Sequence, residues 1–181
     1  LYAVTNDFAA ASQVLDDGLN LFPDNTDLLS EKARVHQAFG EVTQADPLVK
    51  AAAQGVPSGP SIAAVFLQAR MSRQFDVGIG RFEDMLRVSS AQLPERDKLF
   101  IKVATAELQK LAGNPESSRP NFLAARDGLL SLLKTQPENA PLINPRLSLA
   151  YVELGEIKEA LAAADRAVQS LPTSKDAISG P

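Results

Sequence analysis

Phe8, Ala11, Leu15 and Leu19, before Pro23, recur at steps of three and four, the spacing that lines one face of a helix. Before Pro172 the same spacing returns in Ile157, Ala160, Leu161, Ala164 and Val168. Alternating runs of β-branched residues, the mark of strands, are missing, and alanine, leucine, glutamate and glutamine dominate instead. The pattern predicts helices over 7–22, 25–39, 46–55, 60–73, 75–91, 95–112, 119–135, 144–154 and 156–171. The breaks between them carry their own chemistry. Asn25 or Thr26 is placed to cap the second helix, and Ser58-Gly59-Pro60 supplies a cap followed by a proline at the helix start. Asn144-Pro145 repeats that arrangement, while Gly40, Gly113 and Gly155 stand where a helix stops in a left-handed turn. The expected fold class is all-α, built from antiparallel helix pairs.

Two spacings recur along the chain. Pro23 and Pro57 stand 34 residues apart, as do Ala11 and Ala45, and Pro137 and Pro172 stand 35 apart, as do Ala125 and Ala160. A fixed period of this size marks a repeat architecture. The stretch Leu147-Ser148-Leu149-Ala150-Tyr151-Val152-Glu153-Leu154-Gly155, followed by Ala160, Ala167 and Pro172, resembles one unit of the tetratricopeptide repeat (TPR). In that frame Tyr151 is the large residue in the middle of the first helix and Gly155 the turn. Ala160 and Ala167 are the small residues of the second helix, and Pro172 its end.

The same frame fits residues 26–59 through Ala33, His36, Gly40, Ala45, Ala52 and Pro57, and residues 1–25 as a partial unit through Tyr2, Ala11, Gly18 and Pro23. Across 59–92, Arg73 replaces the turn glycine, and Gly78 and Met85 take the small positions. The unit at 95–137 is degenerate, with an insertion at 114–120, read as a loop, between Gly113 and the positions of Phe122 and Ala125. The last unit spans 141–174, and residues 175–181 read as the start of a further helix. The resemblance covers nearly all of residues 1–181 as a single domain. Its last unit is also similar to the carboxy-terminal repeat arrays of bacterial signalling proteins. It implies a right-handed superhelix of helix pairs, an α-solenoid that is part of a larger bacterial protein continuing beyond Pro181.

Composition removes several classes of chemistry. The 181 residues are 45% hydrophobic and 22% charged, enough for a packed core. The absence of cysteine excludes disulfides, thiol catalysis and zinc–thiolate sites, and leaves cytoplasm and periplasm equally open. His36 is the one histidine, so multi-histidine metal sites are excluded; its place at the large mid-helix position gives it a packing role. Asp16-Asp17 and Glu83-Asp84 are neighbours that diverge by about 100° on a helix, which suits a solvated face better than a metal site. Gly78-Ile79-Gly80 lacks the preceding strand and third glycine of a phosphate loop. No enzyme, cofactor or metal role is expected. The net charge of −4 opposes a nucleic-acid surface, no run of 18 apolar residues offers a membrane span, and no signal peptide is visible.

The resemblance implies a partner-binding concave face lined by the second, fifth, ninth and twelfth positions of each first helix. In this chain those positions give Asp27, Ser30, Arg34 and Gln37; then Ala63, Leu67 and Arg70; then Phe100, Val103, Glu107 and Lys110; and last Leu149 and Val152. Such a surface is an apolar floor with the cations Arg34, Arg70 and Lys110 beside Asp27 and Glu107. It suits an extended peptide or a partner's helix, arginine offering paired contacts to carboxylates. The plainer reading of the same cations is a solvated face. Some relatives clamp a terminal carboxylate with a lysine and an asparagine four residues on; here that pair is Lys110 and Asn114, at a helix end, which argues against that ligand. Two roles are expected as alternatives: a protein-interaction module working through this groove, or a structural repeat that forms homo-oligomers through its array ends.

Overall fold

The computed structural model describes residues 8–89 and 91–170. Among them the chain forms nine α-helices and no strand. They are α1 (Phe8–Leu21), α2 (Thr26–Ala38), α3 (Val42–Ala52), α4 (Gly59–Ser72), α5 (Phe75–Ser89), α6 (Glu95–Leu111), α7 (Pro115–Thr135), α8 (Ala140–Leu154) and α9 (Ile157–Ser170), with a short 3-10 turn at Pro137–Asn139. Tyr2, Pro172 and the further helix expected at 175–181 lie outside the described residues. The chain divides into two compact units whose boundary falls within α6, between Ile101 and Lys102.

In the first unit α2 packs against α1, α3 and α4, and α4 packs in turn against α3 and α5. In the second, α8 packs against both α7 and α9. The approach is close because the crossing positions are small. Ala33, Ala45, Ala52 and Ala64 are buried in the first unit, and Ala125, Ala150, Ala160 and Ala163 in the second. Between them larger side chains fill the space: Val49, Val65, Phe82 and Met85 in one, Leu108, Phe122, Leu129, Ile143 and Leu147 in the other. Burying a side chain the size of Phe82 or Phe122 contributes roughly 2–3 kcal/mol.

Three helices begin earlier than their prolines suggest. Pro47, Pro120 and Pro145 were each expected at or near a helix start, yet each sits at the sixth residue of its helix, α3, α7 and α8. Each lacks the N–H that would reach back four residues. The turns upstream persist because they carry core residues: Ala45 in α3, Ser118 in α7, Ile143 and Asn144 in α8. Burial of those side chains outweighs one missing hydrogen bond. Of the insertion at 114–120, all but Asn114, which precedes α7, is therefore helix and not loop, and it lengthens α7 to 21 residues. Asn144 is likewise no cap; buried in α8, it accepts a hydrogen bond from Arg166 Nε at 3.3 Å.

The caps before α2 and α4 follow the sequence. Asn25 Oδ1 accepts from Leu28 N at 3.0 Å. Ser58 and Ser61 form a reciprocal box, with Ser58 N donating to Ser61 Oγ at 2.8 Å and Ser61 N donating to Ser58 Oγ at 3.4 Å. Turn glycines Gly40, Gly113 and Gly155 all have positive φ, and Arg73 takes the same left-handed conformation at φ 57°. A side chain there costs about 1 kcal/mol. Arg73→Gly is therefore expected to raise the unfolding free energy by about 1 kcal/mol, and Gly155→Ala to lower it by a similar amount, both read from urea melts.

Candidate partner-binding groove

The seam between α2 and α4 opens into a groove of about 280 Å3, lined by Glu31, Arg34, Val35, Gln37, Ala38, Leu67 and Met71. Three sequence-expected residues, Arg34, Gln37 and Leu67, meet here. The exposed Arg34 guanidinium donates to Glu31 Oε1 at 2.9 Å and Oε2 at 3.1 Å, a solvated pair on one helix turn. Arg70, also exposed on α4, lies with its guanidinium carbon 5.3 Å from the centre of the Phe66 ring, a cation–π contact.

Gln37 proves to be a core residue. It is 3% exposed, and its Nε2 donates to Ala64 O at 3.0 Å and to Gln68 Oε1 at 3.1 Å. Gln68 Nε2 donates onward to Val42 O at 2.8 Å. This buried chain of amides ties α2, α4 and the start of α3 together, while Gln37 Oε1 is buried without a partner. Ser30 is also buried, its hydroxyl donating to Thr26 O at 2.6 Å, so it packs rather than faces a partner. Asp27 is exposed at the start of α2, where its Oδ1 accepts from Ser58 Oγ at 2.5 Å. Ala63 is half-buried.

The remaining expected contacts do not line this groove. Phe100 is buried with the Arg96 guanidinium 6.0 Å from its ring, and Val103 is buried too. In the second unit Glu107 and Leu149 are half-buried and Val152 is exposed, while the Lys110 ammonium pairs with Glu153 on α8. His36 Nδ1 lies 2.7 Å from Glu41 Oε2, a local tie across the α2–α3 turn. Arg126, which pairs with Asp127 and Glu156, has its pKa raised, chiefly by the hydrogen bond to Asp127 and further by Glu156, against the opposing effect of burial. Among the described residues no cluster of acidic or histidine side chains is arranged to hold a metal, and no helix is long and apolar enough to cross a membrane.

Positions read one repeat at a time missed Glu31, Val35, Ala38 and Met71. Met71 was within reach of the sequence, since it stands four residues after Leu67 and so shares its face of α4.

Solved structures of TPR-like repeats align along nearly the whole chain. The chain has a TPR-like repeat fold. The TPR-like repeats of a Podosopora anserina kinesin light chain align over 97% of this chain and 92% of that one, with TM-score 0.56 and 15% identity. BtubC (BKLC) from P. vanneervenii aligns over 93% and 91%, with TM-score 0.52 and 16% identity. MamA aligns over 93% and 91%, with TM-score 0.52 and 14% identity. No family model and no curated protein sequence matches the chain. The TPR-like frame survives here with few shared residues because it needs only side-chain size and turn geometry at its key positions.

Gln68→Met, close to isosteric, removes one of the two acceptors of the Gln37 amide and the side-chain donor to the Val42 carbonyl. It is expected to cost about 1–3 kcal/mol in urea unfolding, with Gln37→Met added to it recovering part of that loss.

Proposed function

We propose that this TPR-like chain is a protein-interaction module that docks a peptide or helix of a partner protein in the α2/α4 groove. The role is non-catalytic. The observation that carries the reading is the convergence of Leu67, Met71 and Val35 with Arg34 from two successive first helices. Arg70 stands on the same helix as Leu67 and Met71, with no carboxylate partner among the described residues. An apolar floor lined by the Arg34–Glu31 pair, with the Arg70 guanidinium next to Met71 in sequence, suits a segment that carries apolar side chains and an acidic one. Affinity capture from the source organism's lysate tests it. Arg34→Glu with Arg70→Glu is expected to reduce recovery of the partner about tenfold, and undiminished recovery would move the interface off this groove.

One observation favours a second role. Val14 and Leu21 on α1, and Ile157, Leu161 and Val168 on α9, are large apolar residues exposed on one stripe of each helix. Such stripes suit stacking between copies of the chain. Light scattering over a concentration series distinguishes this role: growth in mass that Leu161→Glu abolishes supports self-assembly, and a strict monomer throughout removes it.

A further inference from the structure

A second groove in the first unit shares no lining residue with the first. It has a volume of about 620 Å3, within the range of binding pockets, and runs between α3 with its exit loop and α5. On α5 its wall is the stripe Val77, Arg81, Asp84 and Val88, spaced by four, three and four residues, so one face of the helix points inward. Asp46 and Lys50, four residues apart on α3, form the other wall.

The charges in this groove largely cancel, and what is left over is informative. Arg81 Nη2 donates to Asp46 Oδ1 at 2.9 Å, joining α5 to α3, and Arg87 Nη2 donates to Asp84 Oδ1 at 2.7 Å. Lys50 is exposed and has no carboxylate partner among the described residues. The groove thus offers a single uncompensated cation in a chain whose net charge is −4. A polyanion such as a nucleic acid needs several cations within reach, and after pairing only Lys50 is left on this lining, so the balance favours a ligand with one carboxylate. Val77 and Val88 stand exposed on the α5 wall, the latter at 67%, and call for apolar side chains on either side of that charge. Gln54 and Gln74, at the loop ends of the groove, carry exposed side-chain amides, which can both donate to and accept from a peptide backbone.

We propose that the α3/α5 groove is a separate docking site for a short partner peptide that carries one carboxylate, held by Lys50, between apolar side chains seated on Val77 and Val88. It is independent of the α2/α4 reading and stands if that reading fails.

The test is amide chemical-shift titration of the whole chain with a capped seven-residue peptide. The peptide has one central glutamate flanked by valines and leucines with a serine at each end; its counterpart has glutamine at the centre. Expected are saturable shifts in the backbone amides from Lys50 to Gly55 and in the side-chain amides of Gln54 and Gln74, with the glutamine peptide bound about tenfold more weakly. Lys50→Gln, an exposed change that preserves the spectrum, is expected to abolish the difference between the two peptides, and Val88→Ser to weaken both alike. The proposal is overturned by equal affinity for the two peptides or by a glutamate preference that survives in Lys50→Gln. It is equally overturned by shifts centred on Arg34 and Leu67, or by no saturable shift at all. Acetate alone moving the same resonances at the same concentration would make the site one for small anions and overturn it too.

Discussion

The first unit depends on small buried residues where its helices pack, Ala33 on α2, Ala45 and Ala52 on α3 and Ala64 on α4. A methyl in place of a longer side chain at those positions lets α2, α3 and α4 pack closely against one another. Among the apolar side chains packed there, Gln37 and Gln68 also point inward, with their amides bonded to each other and to main-chain carbonyls. A buried polar chain of this kind has a unique register, since a shift of either helix would break several bonds at once. Longer side chains are pushed to the rim of the seam, and there Arg34, Leu67 and Met71 make a groove.

The charges obey the same geometry. Several cations of the chain are already answered from another element: Lys32 by Asp16, Arg81 by Asp46 and Lys110 by Glu153 on other helices, and Arg126 by Glu156 in the α8–α9 turn. Pairs of this sort, open to solvent on at least one side, are each worth about 1 kcal/mol. Their larger effect is on recognition, because a paired carboxylate no longer repels an incoming one. Arg70, over the Phe66 ring, and Lys50, beside the paired Asp46, are the cations on which the two proposed docking sites rest.

Helix existence was legible in the sequence because apolar spacing and helix-stopping glycines are local. The repeat frame was legible for a related reason: Gly40, Gly113 and Gly155 need positive φ, and the alanines need only be small. Helix starts at α3, α7 and α8 were not legible. Local rules place proline at the first turn, and only the burial of Ala45, Ser118 and Ile143 carries the helix past it. The groove was partly legible. The frame correctly put Arg34 and Leu67 on one surface, but the twelfth position of α2 turned inward at Gln37, since contact with Ala64 and Gln68 depends on a helix 27 residues away. Attention to the first helix of each pair also hid the α3/α5 groove, which belongs to the second helices.

Methionine oxidation offers the most direct test that a partner sits between α2 and α4. The chain has two methionines, Met71, which lines the groove and is 41% exposed, and Met85, which is 1% exposed and serves as an internal control. Hydroxyl-radical labelling of the chain alone and of its purified complex with a captured partner compares the two. The expected result is a severalfold fall in Met71 oxidation on binding with Met85 unchanged. Met71 oxidised as fast in the complex as in the free chain would contradict docking in the α2/α4 groove.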